Sequence, residues 1–329
     1  MQYSYYSYTW FMLIIVLLAA GLWWPVAAQA LPQACPGALD YHDDTYGGQL
    51  RQLYEPAGHE HNLYHYRTPW NADNSYMIGV KEDLNNANWK VALYEGDGCF
   101  IKELFPTTKY SWQLVWDRHD PNILYTWRST ELYRYHVDTG QAELLKDYKL
   151  SGDAILVSPS LNQAGDRIMV VTSGNVLRSY LLPSMTEERA FTLPNLPSNC
   201  DMRNVRYTGY DNYIATDCRN ESAYGSAIYD DTGVLRHTFS RGIGHTDFSP
   251  NGQWAYFTIQ GNQTVDVHVV NIDGTNDQLL YTAQGKFTNL HITWPDRVND
   301  WFVVSFFPSS TTNPTPYASP FDEILQLHT

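Results

Sequence analysis

The sequence has few basic residues. Of its 329 residues, 21 are Lys or Arg and 35 are Asp or Glu, which gives a formal net charge of −14 at pH 7. An acidic field of this size repels polyanions, so we expect neither nucleic acid nor an anionic membrane surface as a partner. A local basic pocket remains compatible with this composition.

Several common catalytic and metal-binding patterns are also absent from the sequence. There is no Gly-rich phosphate loop, no HExxH zinc motif, no GxSxG nucleophile elbow and no EF-hand loop. The four cysteines show no CxxC spacing, which argues against a thiolate metal site. Because the EF-hand pattern is absent, pairs such as Asp273-Gly274 are interpreted as hairpin turns rather than as metal-binding loops.

The four cysteines are Cys35, Cys99, Cys200 and Cys218. An even number in an exported protein suggests two disulfides, for which three connectivities are possible. Cys200 and Cys218 are close in sequence and are expected to pair, which leaves Cys35 with Cys99. The second bond would tie an N-terminal arm to the body of the protein.

The first thirty residues are expected to direct export rather than to join the fold. Residues 10–28 are almost wholly apolar, and Ala28-Gln29-Ala30 is a small-x-small cleavage site. The segment before them lacks Lys and Arg, and the apolar run is long enough to span a bilayer, so a retained anchor is the alternative. Either way, we expect the bulk of the chain to be secreted or periplasmic.

A repeat of 40 to 50 residues runs through the rest of the chain. Each copy has a bulky apolar residue (the anchor), a polar turn and then an apolar strand. The anchors fall 46, 41, 50, 41 and 46 residues apart, at Trp70, Trp116, Val157, Tyr207, Phe248 and Trp294. This spacing and the 48 aromatic residues predict an all-β propeller of four-stranded blades. A β-sandwich would have shorter and less regular spacing.

We therefore expect a signal peptide at 1–30, an arm at 31–59 and a propeller at 60–329. Six blades begin, but the sixth stops at FDEILQLHT, in its third strand. Either the arm, residues 33–64, supplies a missing strand, or the chain is a fragment of a seven-bladed propeller. The chain ends inside a strand pattern, which favours the fragment.

Equivalent positions before the anchors should form rings around the central channel. The residues three positions before the anchors are mostly polar: Arg67, Gln113, Ala154, Asn204, His245 and His291. Two imidazoles and Gln113 could coordinate a divalent metal, and Arg67 could neutralise a carboxylate.

Other residues near this ring are further candidates. Arg203, Arg206 and Asp247 are close to it in sequence, although Asp247 is expected to cap the following turn. Tyr66 and Trp112 flank the mouth, where they could stack on a sugar. The alternative for His245 and His291 is a structural hydrogen bond within the blade, and His59, His61 and His65 are expected in a solvated arm.

Two levels of family resemblance follow from these segments. FSPNGQWAYF and VSPSLNQAGDRIMVV resemble the WD40-like repeats of TolB-type propellers, over about residues 60–329. TPWNADNSYMIGV, GHTDFSPNGQWAYF and LHITWPDRVNDWFVVS resemble the propeller group that includes the oligogalacturonate lyases. The first resemblance implies a fold and says little about function.

The second resemblance implies a chemistry. Oligogalacturonate lyases hold a metal in the central cavity through histidines and a glutamine, and they cleave by β-elimination. By this resemblance His245, His291 and Gln113 would bind the metal, Mn or Ca, and Arg67 or Arg206 would take the C5 proton.

Three functions are compatible with the sequence. The first is an exported propeller that binds a saccharide, another polar ligand or a protein at the mouth of its channel. The second is a metal-dependent polysaccharide lyase acting on uronate-containing oligosaccharides. The third is a non-catalytic, TolB-like interaction scaffold.

Overall fold

A computed structural model of the chain gives two compact units, Met1–Tyr54 and Glu55–Thr329. It describes residues 35, 39–42, 49–52, 59–61, 68–83, 88–107, 114–152, 155–193, 205–208, 213–216, 227–238, 247–260, 264–284, 286–294, 300–308 and 323–328. In the first unit, β1 (Leu39–His42) and β2 (Gln49–Gln52) form an antiparallel hairpin. The segment expected to be a signal peptide, 1–30, lies outside the described residues. None of the described helices is long and apolar enough to cross a membrane.

The second unit is a β-propeller of small antiparallel sheets in chain order. Blade 1 contains β3 (His59–His61), β4 (Tyr76–Asp83), β5 (Asn88–Glu95) and β6 (Phe100–Thr107). Blade 2 contains β7 (Leu114–Trp116), β8 (Ile123–Arg128), β9 (Glu131–His136) and β10 (Ala142–Asp147). Blade 3 contains β11 (Ile155–Leu161), β12 (Arg167–Thr172), β13 (Val176–Leu181) and β14 (Thr186–Thr192).

The remaining blades repeat this order. Blade 4 contains β15 (Arg206–Tyr207), β16 (Ile214–Thr216), β17 (Ala227–Tyr229) and β18 (Leu235–Thr238). Blade 5 contains β19 (Asp247–Phe248), β20 (Trp254–Gln260), β21 (Thr264–Asn271) and β22 (Gln278–Gln284). Blade 6 has three described strands, β23 (Lys286–Thr293), β24 (Trp301–Pro308) and β25 (Glu323–His328). Two short 3-10 helices, Lys149–Ser151 and Ser173–Asn175, connect strands.

Hydrophobic cores lie between successive blades, which is the packing that defines a propeller. Ile78 and Val91 of blade 1 share a core with Leu114 and Trp116 of blade 2. Four further buried clusters join blades 2 and 3, 3 and 4, 4 and 5, and 5 and 6. In blades 2 to 5, the apolar residues on both faces of the sheet therefore pack on the two neighbouring blades.

The turn between the first two strands of a blade has a shared backbone pattern. The residue after the anchor donates its N–H to the carbonyl of a residue five or six positions later. In blade 5 the Ser249 N–H donates to the Trp254 carbonyl at 2.9 Å, and the Ser249 hydroxyl accepts the Trp254 N–H at 3.0 Å. Gly252 completes this turn with a φ of 65°, which glycine adopts without strain.

This pattern moves the third anchor from Val157 to Leu161. Asn162 donates its N–H to the Arg167 carbonyl, and Leu161 pairs with Ile168 as Tyr207 pairs with Ile214 in blade 4. The Ser-Pro pair at 158–159 that suggested a turn lies inside β11 instead. With Leu161, the first four anchors are separated by 46, 45 and 46 residues, a more regular repeat than expected.

One expectation about the N-terminal arm is changed by the sheet order. His59 and His61 belong to β3, which pairs with β4 in blade 1, rather than to a solvated arm. The expectation that the arm completes blade 6 stays a prediction. His65 lies outside the described residues.

Candidate functional site

Most of the residues expected at the channel mouth lie outside the described residues. These are Tyr66, Arg67, Trp112, Gln113, Arg203, Asn204 and His245, and the cysteines Cys200 and Cys218. His291 lies in β23, where it pairs with Ser305. Arg206 is described in full. The roles of the residues outside the described ranges and of His291 therefore remain predictions from the sequence.

The first strand of each blade sets which neighbour its residues face. Leu114 and Trp116 pack on blade 1, whereas Val115 between them packs on the core shared with blade 3. Val205 and Tyr207 likewise pack on the preceding blade, blade 3. The anchor and the residue two before it thus face the preceding blade, because side chains alternate along a strand. The residue just before the anchor faces the next blade.

In blades 3 and 5, the residue before the anchor forms a hydrogen-bonded link to the next blade. The Ser160 hydroxyl of blade 3 accepts the backbone N–H of Tyr207, the anchor of blade 4, at 3.1 Å. Asp247 Oδ2 of blade 5 accepts the backbone N–H of Trp294, the anchor of blade 6, at 3.2 Å. Both acceptors satisfy a buried donor that would otherwise be costly.

Arg206 of blade 4 and Asp247 of blade 5 occupy the same position in the repeat and form an ion pair. Arg206 Nη2 lies 3.7 Å from Asp247 Oδ1, and the two side chains are 7 % and 10 % exposed. The Arg206 guanidinium also lies over the ring of Phe248, with its Cζ 5.2 Å from the ring centroid. This arrangement buries a charged pair where blades 4 and 5 meet.

Burial raises the pKa of Asp247 to about 6, because the charged form loses water. The positive charge of Arg206 and the backbone N–H groups of Phe248 and Trp294 oppose this rise.

Asp247 does not cap its own turn, contrary to the expectation from the sequence. Ser249 performs that role, and the Asp247 carboxylate binds groups from blades 4 and 6. The clue missed in the sequence was a charged pair at equivalent positions of adjacent repeats.

The disulfide expectation is met in part. Cys35 and Cys99 are both disulfide-bonded, and no described cysteine carries a free thiol. Which cysteine pairs with which stays a prediction. Within the described part of the propeller, no three His, Cys, Asp or Glu side chains bring their ligand atoms within 4.8 Å of one another.

No family model matches the sequence, and no curated protein matches it. Among solved structures, an oligogalacturonate lyase in complex with manganese superposes with a TM-score of 0.66 and 13 % identity, over 85 % of this chain and 80 % of its own. An oligogalacturonate lyase from Vibrio parahaemolyticus gives a TM-score of 0.62 at 9 % identity, over 82 % and 78 %. The WD40 domain of Sif2 gives 0.51 at 11 % identity, over 82 % and 72 %.

TolB from Acinetobacter baumannii is also similar, with a TM-score of 0.47 and 15 % identity over 72 % of this chain and 57 % of its own. At identities this low, a structural likeness establishes the fold and leaves the activity open. The expected similarity to WD40 and oligogalacturonate lyase propellers is confirmed, and the chain has the β-propeller fold that they share.

Proposed function

We propose that the protein is an exported propeller that binds a saccharide or another polar ligand at the mouth of its central channel. The observation that carries this proposal is the ring three positions before the anchors. With Leu161 as the third anchor, Ser158 replaces Ala154 in that ring. All six positions are then polar: Arg67, Gln113, Ser158, Asn204, His245 and His291. A few convergent polar groups in a concave site are typical of small-ligand binding.

Export is supported by two independent features. Residues 10–28 and the small-x-small sequence after them fit a secretory signal, and Cys35 and Cys99 are disulfide-bonded. Disulfides persist in oxidising compartments, so both features favour a secreted or periplasmic location.

The surrounding residues indicate what the ligand would be. Arg67 and Arg203 offer guanidinium groups that match a carboxylate, Asn204 can hydrogen-bond to hydroxyls, and Tyr66 and Trp112 offer rings on which a sugar can stack. Because the net charge is −14, binding of an acidic saccharide would depend on these local arginines.

The test is a thermal-shift screen of neutral and uronate-containing oligosaccharides with the full chain. We expect at least one saccharide to raise the Tm of the wild type and to leave an R67A N204A variant unchanged. The matched control is R134A, which removes an arginine paired with Glu143 on an outer edge of blade 2. If no saccharide raises the Tm, or if the ring variant responds like the wild type, the proposal fails. A protein partner at the same mouth is then the remaining alternative.

A metal-dependent lyase of the oligogalacturonate type is the second candidate, favoured by the fold shared with a manganese-bound lyase. Histidine nitrogens and an amide oxygen are ligands that Mn²⁺ accepts, so His245, His291 and Gln113 fit the group by donor chemistry. Gln113 precedes blade 2, whereas the histidines belong to blades 5 and 6, so the three could meet only across the channel. The metal, when bound, would neutralise the uronate carboxylate.

In this candidate, the arginines would abstract the proton and bind the anionic groups. The guanidinium of Arg206 is already engaged in an ion pair with the carboxylate of Asp247. We therefore assign proton abstraction at C5 to Arg67 in this candidate and the binding of anionic groups to Arg206. The test is the ultraviolet absorbance of unsaturated uronate released from oligogalacturonate. Product formation that an H245A H291A variant loses supports the lyase, and its absence in the wild type excludes it.

A further inference from the structure

Arg206 stands at a repeat position where the blades before and after it each have a hydrogen-bond acceptor. Ser160 and Asp247, at the equivalent positions of the blades before and after it, each accept the N–H of the next anchor. A guanidinium has no acceptor atom, so Arg206 cannot do the same for Phe248. Departures of this kind from a local pattern are expected at functional positions.

Blade packing does not require the charged pair. Ser160 makes the same blade-to-blade hydrogen bond with a neutral hydroxyl. Burying an ion pair costs two hydration shells, and such pairs are often no more stabilising than neutral replacements. Arg206 and Asp247 are nevertheless buried: counted over the whole residue, they are 6 % and 7 % exposed. The charge at this interface therefore needs a reason other than stability.

The geometry shows what Asp247 does to its neighbours. Oδ1 lies 3.7 Å from Arg206 Nη2, and Oδ2 accepts the Trp294 N–H at 3.2 Å. The ring of Phe248 lies against the guanidinium. A carboxylate in the middle of three blades thus restrains the guanidinium from one side, while the aromatic ring restrains it from another.

We propose that Asp247 is a positioning residue that holds the Arg206 guanidinium in the first strand of blade 4, so that its charge favours an anionic, carboxylate-bearing saccharide at the channel mouth. This inference rests on the proposed function for its ligand. Arg206 is two residues from ring position Asn204 in the sequence, and a buried charge is screened less by water than one on the surface.

The first test needs no ligand. In nitrogen-15 NMR spectra of the full chain, a restrained guanidinium gives a distinct Arg206 Nε–H signal, assigned by its loss in R206K. We expect this signal to disappear or to merge with those of exposed arginines in D247N and D247S. The serine variant copies the neutral blade 3 arrangement and keeps an acceptor for the Trp294 N–H. Loss of the Arg206 signal in this variant can therefore be distinguished from loss caused by unfolding.

The matched control is D230N. Asp230 pairs with Arg236 in the outer hairpin of blade 4, away from the first strands. We expect D230N to leave the Arg206 signal and saccharide affinity unchanged.

The second test measures affinity for a galacturonate oligomer by calorimetry. D247N and R206Q should each weaken binding about tenfold, and the double variant should be no weaker than R206Q alone, because the two residues act as one unit. A further tenfold loss in the double variant would overturn the inference, as would an unchanged Arg206 signal in both Asp247 variants. If the wild type binds no galacturonate while the Arg206 signal still depends on Asp247, the proposed function fails and the positioning role stands.

Discussion

The hydroxyl oxygen of Ser160 accepts the backbone N–H of Tyr207 across the boundary between blades 3 and 4, from 47 residues away. Asp247 repeats this link to Trp294 over the same separation. The propeller therefore has a polar contact between first strands in addition to its apolar cores, and the chemistry of that contact changes from a neutral hydroxyl to a buried carboxylate along the chain.

Removing the hydroxyl should leave the Tyr207 N–H buried without its acceptor. We expect S160A to lower the free energy of unfolding by about 2 kcal/mol, the usual cost of an unsatisfied buried donor. Chemical denaturation measures this. S184A, which removes an exposed hydroxyl from a turn of blade 3, is the control and should change stability by less than about 0.5 kcal/mol. Equal effects of the two variants would show that the Ser160 link does not stabilise the fold.

The outer hairpins also make contact between blades, at Gly274 of blade 5. A Cβ on Gly274 would overlap the ring of His237 in blade 4, and the residue has a φ of 82°. G274A should therefore cost about 1 kcal/mol for the backbone and roughly 2 kcal/mol more for the overlap.

Gly152 separates the backbone cost from the cost of the overlap. It has a φ of 75°, and no atom lies within 4 Å of the point that its Cβ would occupy. G152A should show only the backbone cost of about 1 kcal/mol. In an H237A background, G274A should fall to the same value. If G274A costs no more than G152A in the wild type, the two blades do not pack as described.

The sequence predicted the order of the blades but not every register. The regular spacing of the anchors and the Gly-containing turns predicted most of the boundaries between blades. The third anchor was misplaced by four residues because Ser158-Pro159 imitates the Ser249-Pro250 turn. The hydrogen bond from Asn162 to the Arg167 carbonyl and the pairing of Leu161 with Ile168 distinguish the two alignments.

The Arg206–Asp247 pair was missed in the sequence because only the alignment of the repeats brings the two residues together. The two residues are 41 positions apart, and they meet only because consecutive first strands lie side by side. Local propensity carries no information on that contact. Asp247 therefore looked like a turn cap, a role that aspartate commonly has in isolation.

Stability at acidic pH should depend on Asp230. Burial opposes ionisation of this carboxyl, but Thr232, the Val234 N–H and Arg236 outweigh it and lower the pKa of Asp230 to about 2. A depressed pKa contributes stability that is complete above the unfolded value near 4 and is lost as the pH falls towards 2. D230N should thus be less stable than the wild type at pH 6, and the difference should shrink between pH 4 and pH 2. A difference that stays constant over this range contradicts the assignment.

The disulfide pairing can be read directly from peptides. Digestion without reductant followed by mass spectrometry should give Cys35 linked to Cys99 and Cys200 linked to Cys218. C99S should then expose one free thiol, at Cys35, and should lower stability by about 2–4 kcal/mol. A peptide joining Cys35 to Cys200 or Cys218 would replace this connectivity with another.

The most direct measurement of the central claim is a calorimetric titration of the wild type and an H245A H291A variant with a galacturonate oligomer, each with and without Mn²⁺. If the polar ring is the binding site, the wild type should bind one oligomer and the variant should lose at least about tenfold in affinity, or 1.4 kcal/mol. Equal affinities in the two proteins, or no binding to either, would contradict a ligand site at the ring.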